Sequence, residues 1–210
     1  MDLQLWLAFV AASTALLLIP GPTVLLVLSY ALSQGRSVAL ATVAGVSLGV
    51  LLSMCASLAG LGAVVMASAT VFTVLKWAGA VYLVYLGTRM FLGASKASLG
   101  DLSHPQASST RRVFTHAAIV TTLNPKSIAF FIAFVPQFIT PGNALLPQFA
   151  ILVGTFVALA AISALAYALL ADQLRRRIAR PTVMAALSRL SGGALIAMGA
   201  ATATLKRSTA

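Results

Sequence analysis

Long apolar blocks make up most of the chain, and short polar breaks separate them. A helix needs about 20 residues to cross a bilayer, and each apolar block is close to this length or longer. They lack the short alternating runs of outer-membrane strands. Cutting the chain at charges, Pro/Gly turns and polar runs predicts six spans. These cover residues 3–33, 38–62, 70–92, 113–139, 145–171 and 182–205.

The third and sixth spans are the weakest of the six. Lys76 and Arg189 fall in their first turns, where long basic side chains can still reach the interface. A five-span topology is therefore left open.

The composition excludes a soluble protein. Of the 210 residues, 60% are hydrophobic and 8% charged, whereas a soluble domain is about 45–50% apolar and about 25% charged. The net charge of +11 would suggest nucleic acid in a soluble chain. Here the basic residues cluster between apolar blocks, with no aromatic-interleaved stripe to bind bases. We therefore predict an all-α membrane protein with no nucleic-acid partner.

The distribution of Lys and Arg predicts the orientation. Lys126 lies within a span and is left out of the comparison. One side of the six spans collects ten basic residues: Arg36, Arg89, Lys96, Arg111, Arg112, Arg175, Arg176, Arg177, Arg180 and Arg189. The other side has three: Lys76, Lys206 and Arg207. The positive-inside rule places the first side in the cytoplasm, and both termini then lie in the periplasm of an inner-membrane protein.

The first apolar block is interpreted as a retained span. It has no basic flank before it, since Asp2 is its sole charge, and it is far longer than the apolar core of a signal peptide.

Residues 1–210 are predicted to form a single transmembrane domain of two three-span halves. The first repeat covers residues 1–93, a cytoplasmic linker 94–111, and the second repeat 112–210. Short matches relate the halves, among them Gly45 with Gly154 and the Pro-containing segments of spans one and four. Because each half has an odd number of spans, the second must be inverted relative to the first. Inverted repeats with interrupted helices are common in secondary transporters.

Prolines interrupt spans one and four. Pro20 and Pro22 flank Gly21 and precede Thr23 in the first span, and Pro125 follows Asn124 near the middle of the fourth. Each proline lacks an N–H donor and clashes with the carbonyl four residues earlier, so the helix must kink or open. Either neighbouring side chains and water satisfy the freed groups, or the half-helix ends bind a zwitterionic substrate.

Lys126 is the sole charge well inside an apolar span. A cation at the centre of a bilayer costs about 2.5 to 3.5 kcal/mol on insertion scales, so a position facing lipid is disfavoured. Two interpretations stay open. Either the Lys126 stem snorkels toward the interface and its ammonium caps backbone carbonyls, or the ammonium faces an aqueous cavity and pairs with a carboxylate of a ligand. In the second case, Asn124 donates and accepts hydrogen bonds beside it.

An enzymatic alternative rests on Gly45, Ser47 and Gly49, which fit the Gly-x-Ser-x-Gly pattern of serine hydrolases. An intramembrane serine protease would need a histidine beside Ser47, and the chain offers just His104 and His116. Close helix packing at Gly45 and Gly49 explains the pattern better. No metal-ligand or phosphate-binding motif is present, so no cofactor or metal is expected. A membrane assembly protein that transports nothing is a third alternative.

Several motifs, taken together and in order along nearly the whole chain, resemble the LysE/RhtB family of amino-acid exporters, and within it the homoserine/threonine exporters. They are the segments at 19–23, Gly45-xxx-Gly49, 76–87, 123–126, Phe130-Phe131 and 136–138. The resemblance implies a small inner-membrane carrier that exports amino acids or close derivatives by proton antiport. Pro20, Gly21, Pro22, Asn124, Pro125 and Lys126 match the family's motifs, and with Thr23 they form the predicted substrate-binding set.

Two departures from the family bear on the substrate. His116 stands where many members have Gly, and residues 37–75 contain no acidic residue, unlike members that export basic amino acids. We therefore expect a neutral amino acid such as homoserine, threonine or a branched-chain residue. The expected partners are this small molecule and membrane lipids, and a homodimer is left open.

Overall fold

The computed structural model describes residues 1–18, 21–34, 38–67, 69–93, 109–140, 142–171 and 181–204. Within these ranges the chain forms helices and contains no strand, which agrees with the predicted all-α class. The helices are α1 (Leu3–Leu18), α2 (Pro22–Gln34), α3 (Ala39–Ala67), α4 (Ala69–Leu92), α5 (Thr110–Thr122), α6 (Pro125–Ala133), α7 (Leu145–Leu169) and α8 (Pro181–Thr204), with a 3₁₀ turn at Val135–Phe138.

The predicted helix breaks at Pro22 and Pro125 are confirmed. Pro22 is the first residue of α2, and α1 and α2 are bent by 57° relative to each other. Pro125 occupies the first turn of α6, directly after its N-cap Asn124. Proline favours this position because its missing N–H has no helical partner there. Pro20 lies outside the described residues.

Among the described residues, two helices are long and apolar enough to cross a membrane, and a bent helix pair gives a third span if it is counted as one. The two continuous spans are Ala39–Gly60 in α3 and Leu145–Leu169 in α7, and the bent pair is α1 and α2. The count of six spans therefore stays a prediction. The predicted third span, residues 70–92, coincides with α4 to within one residue. Most of the predicted linker, residues 94–108, and the arginine-rich segment 172–180 lie outside the described residues.

Helices α3 and α5 run parallel and approach each other closely at Gly45 and Gly49. A Cβ atom at Gly45 would overlap the carbonyl oxygen of Phe114, and one at Gly49 would lie 2.6 Å from that of Ala118. The Thr122 hydroxyl donates to the Gly49 carbonyl across this contact at 3.3 Å. Small residues allow two helix backbones to approach this closely in a membrane. The packing interpretation of the Gly-x-Ser-x-Gly pattern is therefore confirmed.

Two further helix pairs bring distant parts of the chain together. Helix α1 runs parallel to α7, since Trp6 donates to the Thr155 hydroxyl at 3.0 Å and Tyr167 donates to the Leu18 carbonyl at 3.2 Å. Helices α4 and α8 run antiparallel, with Gly87 and Gly192 facing each other. A Cβ added to either of these two glycines would collide with the carbonyl of the other.

Aromatic rings fill the core where α1, α6, the 3₁₀ turn and α7 meet. Phe131 contacts Phe156 edge to face at 4.9 Å, and Phe9 contacts Phe138 in the same way at 5.2 Å. Edge-to-face pairs add about 0.5 to 1.5 kcal/mol to the effect of burial. This core packs α6 against α1 and α7.

Gly45→Ala should destabilise the protein, whereas Gly154→Ala should not. The added methyl group at Gly45 meets backbone of α5, and overpacking of this kind costs about 1 to 3 kcal/mol. A Cβ at Gly154 meets nothing within 4 Å, and the gain in helix propensity is about 1 kcal/mol. Thermal unfolding of the purified variants in detergent measures both effects. Equal melting temperatures for the two variants would contradict the close α3–α5 contact.

Candidate functional site

A cavity of about 40 Å³ lies between the two helix breaks. Helices α1, α2, α3, α5, α6 and α7 all contribute to its walls. Its polar lining comes from Thr23, Thr121, Asn124, Lys126, Ser127, Ser163 and Tyr167, and its apolar lining includes Leu16, Leu17, Val24, Val27, Val46, Val50, Ala160 and Ala164. This volume holds no more than about three water molecules.

Asn124 joins the two breaks. Its Oδ1 accepts a hydrogen bond from the Lys126 backbone N–H at 3.1 Å and so caps α6. Its Nδ2 donates to the Thr23 hydroxyl at 3.2 Å, and the Thr23 and Thr121 hydroxyls lie 3.4 Å apart. The Asn124 carbonyl also accepts from the N–H groups of Ser127 and Ile128, each at 3.1 Å. The first N–H groups of α6 are thus already bonded within the protein.

The prolines of the first break leave two carbonyls of α1 without their helical donors. In a regular helix the N–H of residue i bonds to the carbonyl of residue i−4. Pro20 and Pro22 have no N–H, so the carbonyls of Leu16 and Leu18 lose their partners. The Lys126 ammonium donates to the Leu16 carbonyl at 3.1 Å, and the Tyr167 hydroxyl donates to the Leu18 carbonyl at 3.2 Å. Two side chains from the second half of the chain therefore replace the missing donors.

Lys126 is buried, with 8% of its surface exposed, and no other charged side chain lines the cavity among the described residues. It lies in the first turn of α6, where the partial positive charge of a helix N-terminus disfavours a cation. The Leu16 carbonyl offsets part of this cost. The interpretation that Lys126 caps a freed backbone carbonyl is therefore confirmed, and its exposure to the cavity keeps the ligand-binding interpretation open.

The structure brings most of the predicted substrate-binding residues together. Gly21, Thr23, Asn124 and Lys126 all line the cavity. Pro22 and Pro125 do not line it, but each begins a helix that supplies lining residues. The remaining member of the set, Pro20, lies outside the described residues.

Sequence reasoning missed the carbonyls of Leu16 and Leu18 and assigned no role to Tyr167. Counting four residues back from each proline would have found both carbonyls. Ala160, Ser163, Ala164 and Tyr167 follow the i, i+3, i+4, i+7 spacing of one helix face, and all four line the cavity. That spacing is visible in the sequence but indicates packing as readily as a cavity wall.

The structure gives no support to a serine nucleophile. The Ser47 hydroxyl donates to the Val43 carbonyl of its own helix at 2.8 Å rather than to a histidine. The Nδ1 of His116 lies 2.8 Å from the Tyr30 hydroxyl, which joins α5 to α2. The other histidine, His104, lies outside the described residues.

Comparison with known protein families identifies the family of this chain. The family described as LysE type translocator matches residues 14–205. The chain belongs to this family. The resemblance drawn from the sequence motifs is thereby confirmed.

Curated relatives match the LysE-type chain over nearly its whole length. A homoserine/homoserine lactone efflux protein of Salmonella typhimurium is 34% identical over 206 residues, covering 98% of this chain and 99% of the relative. An uncharacterized membrane protein of Vibrio cholerae is 35% identical over 208 residues, covering 98% and 100%. The uncharacterized membrane protein YrhP of Bacillus subtilis is 27% identical over 200 residues, covering 92% and 95%. No solved structure gives a significant match.

Family membership decides between the broad classes of function. The LysE-type translocators are membrane transporters, and the Salmonella relative is an efflux protein. The chain is thus a multi-pass membrane transporter and not an enzyme, as the sequence predicts. The protease and the assembly-protein alternatives are both set aside.

Tyr167→Phe should lower the stability of this translocator. The substitution removes the donor to the Leu18 carbonyl and leaves the ring in place, at a cost of about 1 kcal/mol. Tyr82→Phe is the matched control, because Tyr82 lies on an exposed face of α4. Melting temperatures in detergent measure the difference. If both variants melt like the wild type, the Tyr167 hydroxyl does not stabilise the first break.

Proposed function

We propose that this translocator exports neutral amino acids, such as homoserine or threonine, across the bacterial inner membrane and binds them between the two helix breaks. The proposal rests chiefly on the position of Lys126, a buried cation beside a cavity whose described lining contains no carboxylate. Polar residues inside a membrane protein are costly and are typical of substrate pathways.

The substrate carboxylate is assigned to the Lys126 ammonium. The N-terminus of α6 adds a favourable potential for an anion at the same place. Its backbone N–H groups are taken by Asn124, so the Lys126 side chain is the donor that can turn to a ligand. Thr23 and Asn124 lie close enough to the breaks to bond the polar atoms of the same molecule.

A neutral side chain suits the rest of the lining. Valines and alanines from α2, α3 and α7 form the apolar walls, and no acidic side chain among the described lining residues could pair with a second cation. The hydroxyls of Ser163 and Thr121 could bond a hydroxyl of homoserine or threonine. A basic amino acid would place an unpaired charge in this cavity, which is unfavourable.

The name of the Salmonella relative agrees with this substrate class, since it includes both homoserine and homoserine lactone. The lactone has an amino group but no carboxylate, and its ester carbonyl is a weaker acceptor for a lysine than a carboxylate. Under the proposal, this chain binds homoserine more tightly than the lactone.

We also propose six spans in two inverted halves, with the broken helices α1–α2 and α5–α6 as equivalent elements. The helix pairs support this arrangement. The first helix of one half packs in parallel on the second helix of the other, as seen for α1 with α7 and for α5 with α3. The third helices, α4 and α8, pack antiparallel, as equivalent helices of inverted repeats must.

Proton antiport remains part of the proposal, as the family resemblance implies. The described cavity lining offers Lys126 and Tyr167 as side chains that can bind and release a proton. Within this described lining, these two groups are the candidates for coupling proton movement to export. The oligomeric state, including a homodimer, stays a prediction.

The proposed orientation has a direct test. A single cysteine at Ser98, in a Cys55→Ser background, should resist an impermeant maleimide applied to intact cells, because the basic linker is assigned to the cytoplasm. A cysteine at the exposed residue Asn143 should react. Both should react after the membrane is permeabilised. Reaction at Ser98 alone in intact cells would reverse the orientation.

Lys126→Gln should abolish most of the export activity. The variant should insert at least as well as the wild type because it removes a costly charge, yet export should fall by about tenfold or more. Lys126→Arg keeps the charge, but its planar head does not fit the same position. Arg189→Gln, on an exposed face of α8, is the control for loss of a positive charge. Efflux of labelled homoserine and threonine at matched expression measures the activity of all three variants. Wild-type efflux by Lys126→Gln would show that Lys126 does not bind the substrate.

A further inference from the structure

The Lys126 ammonium and the Leu16 carbonyl, which bond to each other, are complementary to the two charged groups of an amino acid. Its donor is an ammonium and its acceptor an amide carbonyl, 3.1 Å apart at the wall of the cavity. A zwitterionic amino acid carries a carboxylate, which accepts from an ammonium, and an ammonium, which donates to a carbonyl. Both groups are attached to one carbon atom, so they are neighbours, as the atoms of this hydrogen bond are.

We infer that an amino acid binds by replacing the Lys126–Leu16 hydrogen bond, with its carboxylate on the Lys126 ammonium and its α-ammonium on the Leu16 carbonyl. The inference rests on the proposed function and adds a second binding group, a backbone carbonyl. Pro20 is the reason that this carbonyl is available, because a residue with an N–H at position 20 would bond to it within the helix.

The exchange predicts that both charges of the substrate contribute to binding. A ligand with a carboxylate alone takes Lys126 but leaves the Leu16 carbonyl without a donor in a buried place, which is costly. A ligand with an ammonium alone must displace Lys126 and leaves two cations together. A zwitterion satisfies both groups and adds no net charge to the cavity.

Other polar groups of the site are less suited to the ammonium. The Leu18 carbonyl is bonded to Tyr167, and the Asn124 Oδ1 caps α6. Displacing either of these two hydrogen bonds would break a contact that holds a helix end. The Leu16 carbonyl differs because its donor is the group that the carboxylate attracts.

The test uses the purified full-length protein in proteoliposomes, with counterflow of labelled homoserine. Two competitors are compared: unlabelled homoserine, and 2,4-dihydroxybutyrate, in which a hydroxyl replaces the ammonium. The ratio of the two inhibition constants measures how much the ammonium group contributes to binding. In the wild type, homoserine should compete about ten- to a hundredfold better.

Replacing Leu17 by its α-hydroxy acid converts the Leu16 carbonyl from an amide to an ester, which is a weaker acceptor, and keeps the side chain. The ratio should then fall about three- to tenfold. The same replacement at Leu7, on an exposed part of α1, removes one helical N–H in the same way and should leave the ratio unchanged. An unchanged ratio in the Leu17 variant would show that the ammonium binds elsewhere.

A second measurement does not depend on folding of the ester variant. The wild-type protein is labelled with carbonyl-¹³C leucine, and the Leu16 signal is assigned as the one lost in Leu16→Ile. Dihydroxybutyrate should shift this signal upfield, since it withdraws Lys126 and returns no donor, whereas homoserine should leave it near its ligand-free position. A signal that responds to neither ligand overturns the exchange. Absence of homoserine counterflow by the wild type would instead contradict the proposed function itself.

Discussion

A backbone carbonyl that loses its helical donor inside a bilayer must find another donor, from the protein or from ordered water, because lipid supplies none. This requirement determines the arrangement of the first helix break. Pro20 and Pro22 remove the donors of two carbonyls at the end of α1, and Lys126 and Tyr167 replace them. These bonds tie α1 to α6 and α7, two helices more than a hundred residues away in the chain. The cavity lies where these ties meet.

The second break satisfies the same requirement by local means. Pro125 removes the helical donor of the Thr121 carbonyl, and the Asn124 N–H takes its place at 3.2 Å. The Asn124 side chain then caps α6 and donates to Thr23. The two breaks are therefore chemically different, although their positions in the chain are similar. At the first break, side chains of distant helices donate to the freed carbonyls, whereas at the second break the Asn124 side chain caps a helix N-terminus.

Much of this arrangement could be predicted because it follows from local chemistry. Proline has no N–H wherever it occurs, so the helix breaks at Pro22 and Pro125 follow from the sequence alone. Gly45 and Gly49 mark a close helix contact for an equally local reason, the absence of a side chain. The family resemblance depends on several such motifs in order, and the match to residues 14–205 confirms it.

The identities of the partners could not be predicted, because they depend on how distant helices pack. Lys126 could have capped any freed carbonyl, and the sequence does not show that α6 lies against α1 rather than α2. Tyr167 and Ser163 lie on one face of α7, but that face could have packed against lipid or a neighbouring helix. The aromatic core formed by α1, α6 and α7 selects the arrangement that is observed.

The size of the cavity has a consequence for transport. The enclosed space of about 40 Å³ holds a few waters, so an amino acid bound there, as proposed, would have to enlarge it by moving side chains or helices. The α3–α5 contact resists such movement, because its backbones already touch at Gly45 and Gly49. Helix α1 is held differently beside the cavity, by single hydrogen bonds from Lys126 and Tyr167 to its freed carbonyls. Separating α1 from α6 breaks the first of these bonds, and a zwitterion that bonds to both of its ends lowers the cost of that separation. If a substrate binds as inferred, the hydrogen bond that satisfies the Leu16 carbonyl is also the bond through which the substrate favours an enlarged cavity.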